Sequence, residues 1–359
     1  MTQALAVRDF LEAAGHRVTV VLLGTSRFHE VPPYFKERLR IPVHTHPALT
    51  LVPDRASRGV NARRSVVNGL GMIPRLVMGG FAMRRTIRAH RPDVVVNFFD
   101  FVAGFVDFFS WRPPGPPRVA LAHAYLLGHP DAAPSPPDPV GHRGLSILST
   151  VAAAGAGRPL ALSFDALPDT PRVRVVPPLL RPGLDALRLH DGGYLLAYAL
   201  NGGYARDVAD WQARNPSVEV HCYVSGGGRG LGIEGGAGFH LHALDDLRFL
   251  EHLAGCRAFV GTAGFEAVCE AFYLGKPILA IPVDDHFEQA FNAADMRRTG
   301  IANTGSFQDL DAFWNALRPP SEERVRTFRS WVARAPELIV GAIEEAARRG
   351  AGSPPGPLP

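Results

Sequence analysis

Cysteine is scarce in this 359-residue chain: there are three, Cys222, Cys256 and Cys269, and their spacings make neither a CxxC pair nor a metal quartet. A disulfide framework and a thiolate zinc site have no basis in such a set. No apolar run is long enough to cross a bilayer; the nearest, Val66 to Met83, is interrupted by Arg75 and four glycines. The opening residues, MTQALAVRDFLEAAGHR, carry charges within the first dozen positions and lack the apolar centre of a signal peptide, so the chain is expected to stay in the cytoplasm. Acid is missing from one segment altogether. Residues 55 to 92 hold nine arginines (Arg55, Arg58, Arg63, Arg64, Arg75, Arg84, Arg85, Arg88 and Arg91) and no aspartate or glutamate. A segment of that kind invites an anionic partner.

What is present reads as a folded protein. Hydrophobic residues make up 46% and charged ones 20%, a balance that supports two domains with a core each. The 37 glycines and 32 prolines are scattered between apolar runs, which excludes collagen-like and wholly disordered chains. Only residues 350–359, GAGSPPGPLP, have too little to bury and read as a disordered tail. The formal charge of +4 divides unevenly, since residues 1–185 hold 22 basic against 13 acidic residues and residues 186–359 hold 16 against 21.

Short β-rich runs alternate with helical patterns, the signature of βα units on parallel sheets. The first half predicts strands over Arg17–Leu23, Ile41–Thr45, Asp93–Phe98 and Arg118–Ala122, with a Pro-rich loop over 131–142 and an interdomain linker over 177–183. The second half restarts the rhythm with strands over Tyr194–Leu200, Val218–Val224, Phe239–His242, Ala258–Gly261 and Pro277–Pro282. Helices are expected over Tyr204–Arg214, Phe265–Leu274 and Phe287–Arg298, and a long bent helical segment over Ser321–Arg349. The domains expected are 1–183, 184–320 and a helical segment 321–349. The chain opens on an amphipathic helix, Thr2–Ala14, closed by Gly15, where a doubly wound domain normally begins with its central strand.

The densest cluster of chemistry is GTAGFEAVCEAFYLGKPILAIPVDDHFEQAFNA, residues 261–293. A strand ends in the small-residue turn Gly261–Gly264 and feeds a helix, so the free N–H groups of residues 262–266 can hold a diphosphate. Glu270 follows on that helix, where a carboxylate can accept both hydroxyls of a ribose; it could equally be a surface acid. After the next strand come Glu288, Gln289 and Asn292.

A Glu five residues before the Gly of G-x-P, then an acid-Gln-x-x-Asn-Ala run beyond the next strand, closely resembles the donor signature of GT-B glycosyltransferases that use nucleotide sugars. The resemblance implies an α/β fold of two Rossmann-like, doubly wound domains facing a cleft, an acceptor side in the first half and a donor side in the second. It gives the ribose to Glu270 and the donor sugar to Glu288 and Gln289, with Thr262, Ala263, Gly264 and Phe265 on the phosphates and Asn292 beside them. Gly202 and Gly203 would form the turn that approaches the phosphates, and Leu244, in the run His242–Asp246, would lie in the base-reading loop. The chain looks most like bacterial and archaeal proteins related to the lipid-linked N-acetylglucosamine transferase of peptidoglycan synthesis. Those open with a strand and a turn ending Gly-His before the first helix, so the first strand of the N-terminal domain is expected to be missing here, together with the usual general base.

Candidates for acid/base work are Asp100, His123 and His129, each after a predicted strand at the cleft edge; Asp100 could instead cap a helix, His123 could be a buried packing group, and His16 is expected to be structural. Residues 55–92 could lie on an anionic membrane surface or meet a lipid-linked acceptor, or be a helix packed by Leu70, Ile73 and Leu76. Three patterns are discounted: the GxGxxG match at 230–235 leads to a strand, Gly275-Lys276 lacks phosphate-loop spacing, and His44-x-His46 and His240-x-His242 have no evident partners, so no metal and no cofactor is expected. The reading is a metal-independent, inverting transferase using a nucleotide sugar, UDP by resemblance, at the inner face of the membrane and without nucleic acid. A nucleotide-sugar 2-epimerase and a non-catalytic binding protein are the alternatives.

Overall fold

The computed structural model describes residues 2–25, 31, 33–48, 52, 62–108, 115–199, 202–224, 232–233 and 236–351. Gly230, Leu231, Glu234 and Gly235 of the GxGxxG match, Leu200-Asn201 and the predicted tail from residue 352 onward lie outside them, as do Arg55 and Arg58.

The second half forms one parallel six-stranded sheet. Its strands are β7 (Leu195–Ala199), β8 (Val220–Val224), β9 (Phe239–His242), β10 (Ala258–Thr262), β11 (Ile278–Ile281) and β12 (Asn303–Thr304), in the order β12-β11-β10-β7-β8-β9. The first strand in sequence is thus central, and the order reverses beside it, the arrangement that opens a crevice at the carboxyl ends of the strands. The crossovers are α6 (Gly202–Arg214), α7 (Asp246–Gly255), α8 (Phe265–Tyr273) and α9 (Phe287–Thr299), followed by the short α10 (Leu310–Asn315). Every residue of β10 and β11 is buried, as expected of strands covered on both faces.

The first half is built likewise but in two pieces. A two-stranded parallel sheet joins β1 (Val21–Thr25) to β2 (Val43–Pro47), and a four-stranded one runs β3 (Val95–Asn97), β4 (Arg118–Ala122), β5 (Leu160–Leu162) and β6 (Arg174–Val176) in order. Helices α1 (Thr2–Ala13), α2 (Pro33–Leu39), α3 (Ala62–His90), α4 (Phe101–Phe108) and α5 (Pro139–Ala152) connect and cover them. By sequence order β1 and β2 match β8 and β9, while β3 to β5 match β10 to β12. The position that β7 takes in the second half has no strand among the described residues of the first, in agreement with the expected missing strand. A cavity of about 960 Å³ separates β1 from β3 there, lined by both strands and by Val7, Leu11 and Ile343. No residue of β1 is fully buried, whereas four of the five in β7 are.

Alternate peptide groups of a strand face alternate neighbours. Val21 N–H donates to Pro42 and Val95 N–H to Pro117, so Leu22, Gly24, Val94 and Val96 turn their peptide groups toward the cavity.

Several boundaries differ from the sequence pattern. Asp138 caps α5 by accepting from Val140 and Gly141 N–H at 3.1 and 3.0 Å, which ends the Pro-rich loop early. Strands β5 and β6 have three residues each, too short for alternation to reveal. Residues 177–181 are buried rather than a free linker. The C-terminal segment divides into α11 (Glu322–Val332) and α12 (Ala335–Ala351), and α12 returns across the first half, its Ile339 and Ile343 sharing a core with Val7, Leu11, Val119 and Leu160.

Candidate active site

β10 delivers the chain to the turn at residues 262–264. Ala263 N–H donates to Ile281 O at 2.9 Å and Gly264 N–H to Thr262 O at 2.6 Å, so these two amides are already used. The cap residue Gly264 offers no side chain. Within the described residues the N–H groups of Phe265, Glu266 and Ala267 meet no acceptor, and they point out of the positive end of α8. The expected anion site over 262–266 therefore narrows to the first turn of the helix, with Thr262 and Ala263 as its buried support.

One of the predicted donor residues, Asn292, builds that turn from behind, and another, Gln289, holds the adjoining chain after β11. Asn292 Nδ2 donates to Ala263 O at 3.0 Å, and Gln289 Oε1 accepts from Val283 N–H at 3.0 Å. Both side chains are buried. Glu288, at the start of α9, is half-buried; burial, and to a lesser degree the Glu266 carboxylate, raises its carboxyl to about 7. Glu266 itself accepts from Gln3 Nε2 at 2.6 Å, tying the start of α1 to α8.

Glu270 is fully buried, and its carboxylate is engaged. Arg181 donates to it from Nε at 2.7 Å and from the backbone at 3.2 Å, and its Nη2 pairs with the other oxygen. Arg181 Nη1 reaches Asp246 at 2.7 Å, and Arg38 pairs with the same aspartate. The guanidinium is held firmly protonated because the attraction of Glu270 and Asp246 outweighs the burial that alone would release its proton. A buried carboxylate needs such a partner. The surface-acid reading of Glu270 is corrected: its carboxylate is buried at the centre of an Arg–Glu–Asp cluster. Sequence reading missed Arg181 and Asp246. The signal was there in Arg181, a lone charge inside Pro-Pro-Leu-Leu-Arg-Pro-Gly.

Gly202 and Gly203 are the buried first residues of α6, at the carboxyl end of β7. Leu244 is exposed in the loop from β9 to α7, whose Asp245 caps α7 by accepting from Arg248 N–H at 3.0 Å.

In the first half, Asp100 follows β3 and uses its two oxygens separately. Oδ1 accepts from Val102 and Ala103 N–H at 2.8 and 3.3 Å, capping α4. Oδ2 lies 3.0 Å from Nε2 of His46, at the end of β2. Burial alone would lower the His46 pKa, but the Asp100 carboxylate beside it outweighs that and raises it. Gly24 closes the group from β1, where a Cβ would stand 2.9 Å from Ala48 Cβ and 3.3 Å from Asp100 Oδ2. Phe99, just before Asp100, has φ 60°, a strained setting for a bulky residue that costs about 1–3 kcal/mol. His46 was passed over as half of a discarded His-x-His pair; its partner lies 54 positions away.

His123 presents no nitrogen to the cleft. Its Nδ1 donates to Leu162 O at 2.7 Å, its ring stacks on Phe265 at 4.4 Å and touches Phe164 and Phe291, and burial lowers its pKa. Its Nε2 faces Asp295 at 3.9 Å, so in this arrangement the ring packs between the halves and is not set to exchange a proton with a substrate. His129 is satisfied by Pro168 O and Asp131 N–H, and His16 pairs with Glu344 at the surface.

The Arg-rich segment is largely α3. Ile73, Met78 and Phe81 are exposed, Met78 by 72% and Phe81 by 63%, and Pro74, Met78, Phe81, Arg85 and Arg88 repeat at the 4-3-4-3 spacing of one helical face. Ile73 was expected to pack the helix and instead faces outward, while Leu76 packs beside Met83 and Ile87. No described helix is long and apolar enough to cross a membrane.

Residues 156–315 match the family described as Glycosyl transferase family 1. The chain is 28% identical over 371 residues, 96% of its length and 88% of the other, to a UDP-N-acetylglucosamine–N-acetylmuramyl-(pentapeptide) pyrophosphoryl-undecaprenol N-acetylglucosamine transferase of Aeromonas hydrophila subsp. hydrophila. Its structure resembles MurG of Acinetobacter baumannii (TM-score 0.51, 16% identity, 96% of this chain and 95% of that one). It resembles the calicheamicin glycosyltransferase CalG4 (0.55, 16%, 97% and 95%) and LpCGTa in complex with UDP (0.56, 15%, 98% and 96%) in the same way. At these identities the structural likeness establishes the architecture, that of GT-B proteins.

Proposed function

We propose that this GT-B glycosyltransferase, whose residues 156–315 carry the glycosyl transferase family 1 domain, moves a sugar from UDP to a lipid-linked acceptor by direct displacement with inversion. The observation that carries the donor half is the bare first turn of α8: three amides unpartnered among the described residues, at a helix N-terminus backed by Asn292, suit a leaving diphosphate. Glu288 strengthens the reading. A carboxyl raised to about 7 is half protonated at neutral pH, which spares a diphosphate one negative neighbour and lets the group donate to a sugar hydroxyl. Of the four acceptor positions of the Glu270 carboxylate, Arg181 fills three, which leaves one on Oε2 for a ribose hydroxyl while Arg181 keeps its geometry.

On the acceptor side the reading assigns proton removal to Asp100. It is the more exposed member of its pair, 27% against 5% for His46, and His46 orients it. The large cavity between β1 and β3 is not taken as the substrate pocket, because it lies between sheet edges and touches the site only at Gly24 and Asp100. UDP and a polyprenyl-linked acceptor are supported by the printed name of the Aeromonas relative, and the membrane surface by the exposed apolar and basic face of α3. The reaction as proposed needs no cofactor.

The test is transfer of labelled sugar from UDP-N-acetylglucosamine to a polyprenyl-pyrophosphate-linked saccharide. Labelled lipid product is expected from the wild type and not from Asp100→Asn. Label recovered only in free donor, across several lipid-linked acceptors, would overturn the acceptor assignment.

A further inference from the structure

Three imidazoles from three different elements converge where α7 packs on β8 and the edge strand β9 of the second-half sheet. His221 stands on β8, His242 ends edge strand β9, and His252 lies on α7. His221 Nδ1 and His242 Nε2 are 2.9 Å apart, and one ligand nitrogen from each of the three lies within 4.8 Å of the others. We propose that His221, His242 and His252 bind a divalent first-row transition ion with imidazole preference, Zn²⁺ foremost, as a structural clamp on the loop between β9 and α7.

The chemistry of the set fits such an ion. Nitrogens at about 2.0–2.1 Å from a tetrahedral Zn²⁺ are separated from one another by about 3.4 Å, a spacing that the observed separations bracket. Three imidazoles with a fourth position left for water is a known zinc arrangement, and imidazole also suits nickel and copper. All three rings are half-buried. Imidazole is mostly neutral at neutral pH, so each of the three rings can offer a lone pair.

A second layer orients the ligands. Glu219 Oε1 lies 3.2 Å from His221 Nε2, the carboxylate–histidine pairing that fixes a ligand's tautomer and raises its basicity. Tyr223 Oη lies 2.9 Å from His252 Nδ1. Glu219 also reaches the exposed His240 at 3.3 Å, which stacks on His221 without joining the three. A ligand at the end of β9 and another six residues into α7, about 9 Å along that helix, would brace both flanks of the loop that carries Leu244, Asp245 and Asp246.

The experiment uses the full chain without a polyhistidine tag, stripped with chelator and titrated with Co²⁺ and then Zn²⁺. The expected result is a ligand-field absorption of tetrahedral Co²⁺ that saturates at one ion per chain and is displaced by Zn²⁺. His242→Gln and His252→Gln should abolish it, His240→Gln should retain it, and Glu219→Gln should weaken binding by about 10–100-fold. Zinc-edge anomalous diffraction from wild-type crystals reads the same point without any variant: a peak among the three rings is expected. No saturating signal, stoichiometric binding in both ligand variants, or an anomalous peak elsewhere would overturn the proposal.

Discussion

Asp100 gives one oxygen to the backbone of α4 and the other to His46, and these duties can be separated by one substitution. Asparagine caps a helix about as well as aspartate, so Asp100→Asn should leave folding nearly intact while removing the base. The expected result is a fall in kcat of about 10²–10⁴-fold with little change in donor affinity; lost donor affinity at unchanged kcat would contradict the assignment. Glu288 sets a pH dependence of opposite character. Its carboxyl is raised from the ordinary 4.5 to about 7, so the folded state holds that proton through the interval, and the stability it contributes is complete below about 4.5 and lost as pH rises through 7. UDP-sugar affinity, measured calorimetrically from pH 6 to 8.5, should weaken across the same step, and Glu288→Gln should flatten the profile. These two acids were legible as candidates because each follows a strand in a recognisable run. His46 and Arg181 were not, since their roles come from partners 54 and 89 positions away that no local pattern connects.

At the scale of elements, the strand–turn–helix at β10 and α8 was readable because a buried parallel strand is a continuous apolar run and its helix begins at a glycine turn. β5 and β6 escaped because three residues give no periodicity. The break in the first-half sheet followed from the order of elements, with a helix where a central strand belongs, but its consequence for hydrogen bonding needed the register. Leu22, Gly24, Val94 and Val96 turn their peptide groups to the cavity, while Val21 and Val95 are paired to β2 and β4. Native-state hydrogen exchange should therefore find the first four amides markedly less protected than their alternating neighbours. Uniform protection along β1 and β3 would show that both edges are covered.

For the whole molecule, charge and shape favour one orientation. The first half is basic and the second acidic, and the exposed face of α3 combines Met78 and Phe81 with Arg85 and Arg88. Vesicles containing anionic lipid should bind the protein, with binding that falls at high salt, and the pair Met78→Ser and Phe81→Ser should reduce it several-fold; equal binding to neutral vesicles would remove the electrostatic part of the account. α12 meanwhile packs against α1 and β4, within one core that joins residues of both halves of the chain.

A nucleotide diphosphate at the first turn of α8 should stabilise the folded chain, so a thermal titration of the full chain with UDP, GDP, dTDP and CMP reads the donor site directly. A ligand that binds only the folded state adds about 2.7 kcal/mol of stability at one hundred times its Kd. A selective rise in Tm with UDP is expected, retained in Glu288→Gln at pH 6, where the native carboxyl is itself protonated, and strongly reduced in Asn292→Ala. A rise of equal size with all four nucleotides, or none with any, would contradict a donor site at the first turn of α8.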